Sequence, residues 1–190
     1  RSTLFPYTTL FRSRTGDFKV IVPREEDHEY QLDHLDTDLG SDRNGRFLIR
    51  TNWQALNFRI VEVPVAHAAE RTRWRDVVAH DPEVFIQDFE IFRTFIAVSE
   101  RSRGLMNIRV QRWGEAPFHL TADDPAYTMA LGSNPELDTT KLRYVYTSLT
   151  TPGTTYDHDL ADGSRTFLKR EPVLGDFDPA NYVSEFICRF

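Results

Sequence analysis

Short runs of β-branched and aromatic residues recur along the chain, with polar and turn-forming residues between them. Phe47–Thr51, Phe95–Ser99 and Leu142–Leu149 are such runs, and side chains of this shape favour the pleated, half-buried surface of a sheet. A polar connection and a second run follow each one: Asn57–Val63, Leu105–Val110 and Thr154–Asp159. The connections begin near Asn52, Arg101 and Thr150, a spacing of roughly 49 residues that suits four-stranded propeller blades. No long 3.6-residue apolar period interrupts the pattern, so helix is expected to be scarce.

Turn chemistry agrees with a series of hairpins. Asn44-Gly45 and Asp162-Gly163 read as two-residue turns, because these residues tolerate the positive φ of a type I′ turn. Arg103-Gly104 and Pro152-Gly153 are placed to close the intervening pairs. Prolines 64, 82, 117, 125, 135 and 172 fall between strands or at their ends, where a missing N–H costs no ladder bond. The expected fold is therefore all-β, with about three four-stranded antiparallel blades near 29–78, 84–120 and 127–171.

Composition narrows the function classes. The chain has 190 residues, 40% of them hydrophobic and 27% charged, as expected of one globular domain. No apolar run approaches the ~20 residues that span a bilayer as a helix. Cys188 is the single cysteine, which excludes a disulfide framework and a thiolate metal site. A net charge of −6 argues against a nucleic-acid surface, which concentrates cations, and favours basic peptides as partners.

Several segments resemble, in order, one family of peptidases. They are Asp27–Tyr30, Arg50–Ala55 with Asn57–Arg59, Glu100-Arg101 with Gly104-Leu105, Asn134–Glu136 and Gly175–Asp178. The longer Thr147–Pro152 and Asn181–Glu185 (NYVSE) complete the set. Together they resemble the oligopeptidase B group of the prolyl oligopeptidase family of serine peptidases, over about residues 17 to 185. The resemblance implies the later part of a seven-bladed N-terminal propeller, followed in the family by an α/β-hydrolase domain that carries the serine, histidine and aspartate. It also implies cleavage of short peptides after arginine or lysine, a propeller that limits substrate size, no cofactor, and a cytoplasmic location. Another member of the same family, or a stand-alone propeller used as a binding module, remains an alternative.

Residues 17–171 are thus expected to form the partial propeller, and 172–185 a linker toward a hydrolase domain. Thr3–Ser13 is what a common sequencing-adapter string gives on translation, so 1–16 are expected to be an adapter-derived or disordered leader outside the core. Residues 186–190 depart from the family pattern and are expected to be a truncation artefact.

The nucleophile elbow G-x-S-x-G occurs nowhere, and no catalytic residue is expected in this chain. Ser148 and His158, with Asp157 and Asp159 beside the histidine, make only a nominal triad. His28, Glu29, Asp33 and His34 are ligand types, but strand alternation would divide them between two faces, and no metal site is expected. His67, His80 and His119 stand singly. Arg50, Asn52, Glu100 and Arg101, with Arg103, are the candidates for contact with a substrate or an adjoining domain, at turns expected to share one rim.

Overall fold

The computed structural model describes residues 8–12, 17–35 and 45–187, with side chains from Val20 onward. The chain forms two compact units, Arg1–Pro82 and Glu83–Phe190.

In the first unit β1 (Thr8–Arg12) pairs antiparallel with β2 (Asp17–Val22). The leader expected over 1–16 therefore includes one strand at Thr8–Arg12, and its remaining residues lie outside the described ones. Strands β3 (Tyr30–Leu35), β4 (Arg46–Thr51), β5 (Arg59–Pro64) and β6 (Arg75–Val78) form a four-stranded antiparallel sheet in sequence order. Two 3-10 turns, Val65–His67 and Arg71–Arg73, lie between β5 and β6. Phe47 and Ile49 of β4 and Val61 and Val63 of β5 project to one face by strand alternation, where they pack with Ile21 and Val22 of β2.

In the second unit β7 (Val84–Ile91), β8 (Phe95–Ser102), β9 (Leu105–Arg112) and the short β10 (Phe118–His119) form one antiparallel set. A second set is β11 (Tyr127–Leu131), β12 (Lys141–Ser148), β13 (Thr154–Asp159) and β14 (Arg165–Arg170). The expected blade limits thus agree with the three four-stranded sets. One further feature was not expected: a parallel pair, Thr128 with Met106, joins β11 to β9 and makes the two sets a continuous sheet. Phe95, Ala97, Ile108 and Val110 from the first set and Met129, Leu142, Tyr144, Tyr146 and Tyr156 from the second form one core. Burial of side chains this large contributes about 1.5–3 kcal/mol each, so this core is what holds the unit together.

One turn assignment changes. Asp162-Gly163 is not a two-residue turn but part of the connection 160–164, in which only Gly163 has positive φ. The aspartates explain the longer loop, since Asp159 Oδ1 accepts from Ala161 N and Asp162 Oδ1 accepts from Ser164 N, a local pairing that competes with a tight turn. The type I′ geometry sits instead at Arg103-Gly104, with φ of 51° and 80° between the paired Ser102 and Leu105. Asn44 lies outside the described residues, and Gly45 has φ 68°.

Candidate functional site

Strand direction places the features of the second unit at two ends. β8 and β12 run toward the end that carries turn 103–104 and turn 149–153, and the chain returns to this end after β14. Asp124 organises this end. It accepts a hydrogen bond from Tyr146 Oη at 2.6 Å, and its own N–H donates to the same oxygen at 2.9 Å. Thr150 Oγ1 and Thr151 Oγ1 also donate to its carboxylate, each at 3.4 Å. These hydroxyls, Tyr146 foremost, hold the Asp124 carboxyl below its usual range. Burial, reinforced by the Asp124 hydrogen bond, pushes the Tyr146 phenol up. Thr150 Oγ1 then meets Ser184 Oγ at 3.4 Å, with Ser184 only 4% exposed. The two longest family-like segments, Thr147–Pro152 and Asn181–Glu185, are therefore in contact.

The opposite end is built around Asn134. Its Oδ1 accepts from Arg143 N at 2.7 Å while Nδ2 donates to Arg143 O at 3.1 Å, so one side chain copies a strand partner. Nδ2 also donates to Glu90 of β7 at 2.6 Å. Beside it Arg143 grips Asp157 through two hydrogen bonds of 2.8 and 2.9 Å, a fork that lowers the Asp157 carboxyl. A polar depression of about 170 Å³ opens here, lined by Asn134, Glu136, Lys141, Arg143 and Asp157 among others.

The four candidate residues divide between the two units. In the first, Arg50 is on β4 with its guanidinium 3.5 Å from the centre of the Phe58 ring. Asn52 follows β4 directly; its Oδ1 accepts from Glu29 N at 2.8 Å and its Nδ2 donates to Asp27 O at 3.0 Å. Arg50 thus packs on the end of the connection after β4, and Asn52 ties the start of that connection to the segment before β3. In the second, Glu100 and Arg101 are not at a turn, as expected from sequence, but inside β8, because the tight turn at 103–104 lets pairing continue to Ser102. As strand neighbours they point to opposite faces. Arg101 stands 5.3 Å from the Phe85 ring centre. Glu100 is 3% exposed, and its Oε1 accepts from His119 Nε2 at 2.5 Å. Its Oε2 lies 3.9 Å from Arg109 and has no hydrogen-bond partner.

His119, which stood alone in the sequence, thus has a partner on another strand. No sequence signal marks that pairing, because β10 is two residues long and is defined by register with β9. Asp124 carries no sequence signal beyond the general tendency of aspartate to form turns. His28 precedes β3 and does not share a strand with His34, so the expected alternation does not apply. Its ring is buried, with Nε2 2.8 Å from Thr51 Oγ1 and Nδ1 3.2 Å from Arg71. Among the described residues no three His, Cys, Asp or Glu side chains are grouped to hold a metal ion. The nominal triad is taken apart by the register. His158 pairs with Leu142, six strand positions from Ser148, which is roughly 20 Å at about 3.3 Å per residue. Ser148 Oγ instead accepts from Thr150 N and Thr151 N.

Comparison with known proteins agrees with this architecture. Residues 5–171 match the family model described as the prolyl oligopeptidase N-terminal beta-propeller domain. The chain is 44% identical over 171 residues to dipeptidyl aminopeptidase BI of Pseudoxanthomonas mexicana, covering 90% of this chain and 22% of that protein. It is 30% identical over 173 residues to Protease 2 of Moraxella lacunata, covering 91% and 23%. Oligopeptidase B from Trypanosoma brucei, in a closed form with covalently bound antipain, superposes with a TM-score of 0.78 at 26% identity, over 90% of this chain and 24% of that one. The chain thus spans less than a quarter of the length of these relatives, and all of its matched blades fall in their propeller. This chain belongs to the prolyl oligopeptidase family of serine peptidases, as part of the family's N-terminal β-propeller.

Proposed function

We propose that these blades serve as the non-catalytic cover of an oligopeptidase B-like endopeptidase, limiting the size of peptides that reach an active site in an α/β-hydrolase domain. In this reading the hydrolase domain supplies a serine nucleophile, a histidine base and an orienting aspartate, and cleaves short peptides after Arg or Lys by acyl transfer. No cofactor is needed, and the enzyme works in the cytoplasm. The observation that carries the reading is that the chain matches a peptidase propeller over residues 5–171 while covering under a quarter of its relatives. The net charge of −6 supports basic peptides as the substrates drawn to such a cover.

A second reading within the family, release of dipeptides from a free N-terminus, is favoured by the 44% identity to a protein named as a dipeptidyl aminopeptidase. The two differ in whether a free amino group is required. The test is to recover the full coding sequence, express the whole protein, and compare an N-terminally blocked arginyl substrate with an unblocked dipeptidyl one. Hydrolysis of the blocked substrate supports the endopeptidase, and hydrolysis of the unblocked one alone supports the aminopeptidase. A full coding sequence with no hydrolase domain would overturn both and leave a propeller that acts as a binding module.

A further inference from the structure

Residues 171–187 do not run straight away from the second unit, as a linker would. Glu171 N donates to Gly153 O at 2.9 Å, and Ser184 returns to Thr150. Gly153 and Thr150 belong to the same turn between β12 and β13, so both ends of the intervening loop meet at one place, the geometry of an Ω-loop. The loop has bonds of its own: Asp178 Oδ1 accepts from Ala180 N at 3.0 Å, and Phe177 stacks on Tyr182 with ring centres 5.4 Å apart. Its apolar residues Val173, Leu174 and Val183 are nevertheless exposed, Leu174 to 94%. The loop is thus fixed to the β12–β13 turn at both of its ends.

Thr150 Oγ1 stands between the Asp124 carboxylate, to which it can donate, and the Ser184 hydroxyl, with which it can either donate or accept. We infer that Asp124, Thr150 and Ser184 form a clamp that fixes where the chain leaves the propeller, so that an attached domain pivots after Ser184 and not within loop 172–183. The pivot rests on the proposed function; the clamp does not. With the clamp open, residues 172–183 add up to about 40 Å of tether at roughly 3.3 Å per residue. A longer tether lowers the effective concentration of one domain at the other, so the closed enzyme becomes harder to reach and longer peptides gain access.

The test compares Thr150→Val, which removes the hydroxyl, with Thr150→Ser, which keeps it, and with Ser184→Ala as a variant outside the blade core. On this chain, chymotryptic cleavage after Phe177 and Tyr182 is followed by mass spectrometry. Cleavage is expected to rise about fivefold in Thr150→Val and Ser184→Ala, the change that one lost hydrogen bond gives a local opening, and to stay near the wild-type rate in Thr150→Ser. Equal rates in all four proteins overturn the clamp. In the full-length enzyme, Thr150→Val is expected to raise kcat/KM for peptides of about 30 residues relative to a short chromogenic substrate, while Thr150→Ser leaves the ratio unchanged. An unchanged ratio in Thr150→Val, with cleavage accelerated, overturns the pivot and keeps the clamp. A full-length protein without a hydrolase domain sinks the pivot along with the proposed function.

Discussion

Glu100 Oε1 lies 2.5 Å from His119 Nε2 across the β8–β9–β10 set, in a carboxylate that is almost fully buried. Its other oxygen has no hydrogen-bond partner, and Arg109 approaches it only to 3.9 Å. A buried carboxylate that loses its hydrogen-bond partner carries the full cost of desolvation, whereas the exposed half of the imidazole can turn to water. His119→Ala should therefore cost about 1–3 kcal/mol of unfolding free energy by urea denaturation. In a double-mutant cycle with Glu100→Ala the two changes should fail to add. Additivity within about 0.5 kcal/mol would show that the contact carries no coupling.

Blades were legible because strand-forming runs, turn residues and a repeat spacing all agree along this chain, and each is a local property. Glu100 was misplaced for the same reason. Glu100-Arg101-Ser102 looks like a polar turn in sequence, and only the register through Arg103-Gly104 shows it to be strand. The partners of Glu100 come from β9 and β10, and the Asn134 knot joins β7 to β12 through a loop. Such contacts depend on pairing between distant segments, which hydrophobic periodicity does not encode. Asn134–Glu136 and Asn181–Glu185 were visible as family-like segments, but what they hold became visible only in three dimensions.

This chain should hydrolyse no arginyl or lysyl ester or amide. Acyl transfer needs a nucleophile beside its base, whereas Ser148 is tied to backbone amides of its own turn, far along the strands from His158. Purified protein should give the buffer rate in a chromogenic assay. Activity that disappears in Ser148→Ala would refute this.

His28 should make the first unit sensitive to mild acid. Burial, followed by the nearby Arg71 charge, lowers its pKa below the ordinary histidine value. The neutral ring fits its surroundings, with Nδ1 accepting from Arg71 and Nε2–H donating to Thr51. Since the unfolded chain binds the proton more readily, this contribution is complete above an unfolded pKa of about 6.5 and is lost as pH falls from there toward the lowered folded value. The urea midpoint of the wild-type chain should fall between pH 7.5 and 5.5 by more than that of His28→Gln. Parallel declines would assign the sensitivity elsewhere.

Asn134→Ala should cost about 1–2 kcal/mol, because it removes the side chain that pairs with both Arg143 N and Arg143 O. Asn134→Asp keeps the acceptor but sets a carboxylate against Glu90, 2.6 Å from the present amide nitrogen. Like charges at that distance oppose folding. The aspartate variant should therefore regain stability as pH drops below about 5, where carboxylates begin to protonate, and the alanine variant should not. Matching pH profiles for the two would exclude Glu90 as a working partner of Asn134.

Gly132 tests the same end of the sheet by shape alone. Its N–H donates to Arg143 O at 2.9 Å, so the two backbones are drawn together. A Cβ on Gly132 would lie 3.1 Å from Arg143 O, 3.2 Å from Arg143 C and 2.9 Å from Arg143 Cγ. The side-chain carbon could move aside, but the carbonyl is held by the hydrogen bond and by Asn134 Nδ2. Gly132 is not at positive φ, so alanine meets no backbone strain there and the effect isolates the close approach. Gly132→Ala is expected to cost about 1–3 kcal/mol, as overpacking in a rigid site does. Gly163→Ala supplies the contrast: its Cβ would meet nothing within 4 Å, but its φ of 75° disfavours any side chain, at about 1 kcal/mol. In the double variant Gly132→Ala/Asn134→Ala the cost of alanine at 132 should shrink, since Arg143 O is then free to yield. A cost unchanged by removal of Asn134 would mean that the strand itself, and not the Asn134 knot, fixes that carbonyl.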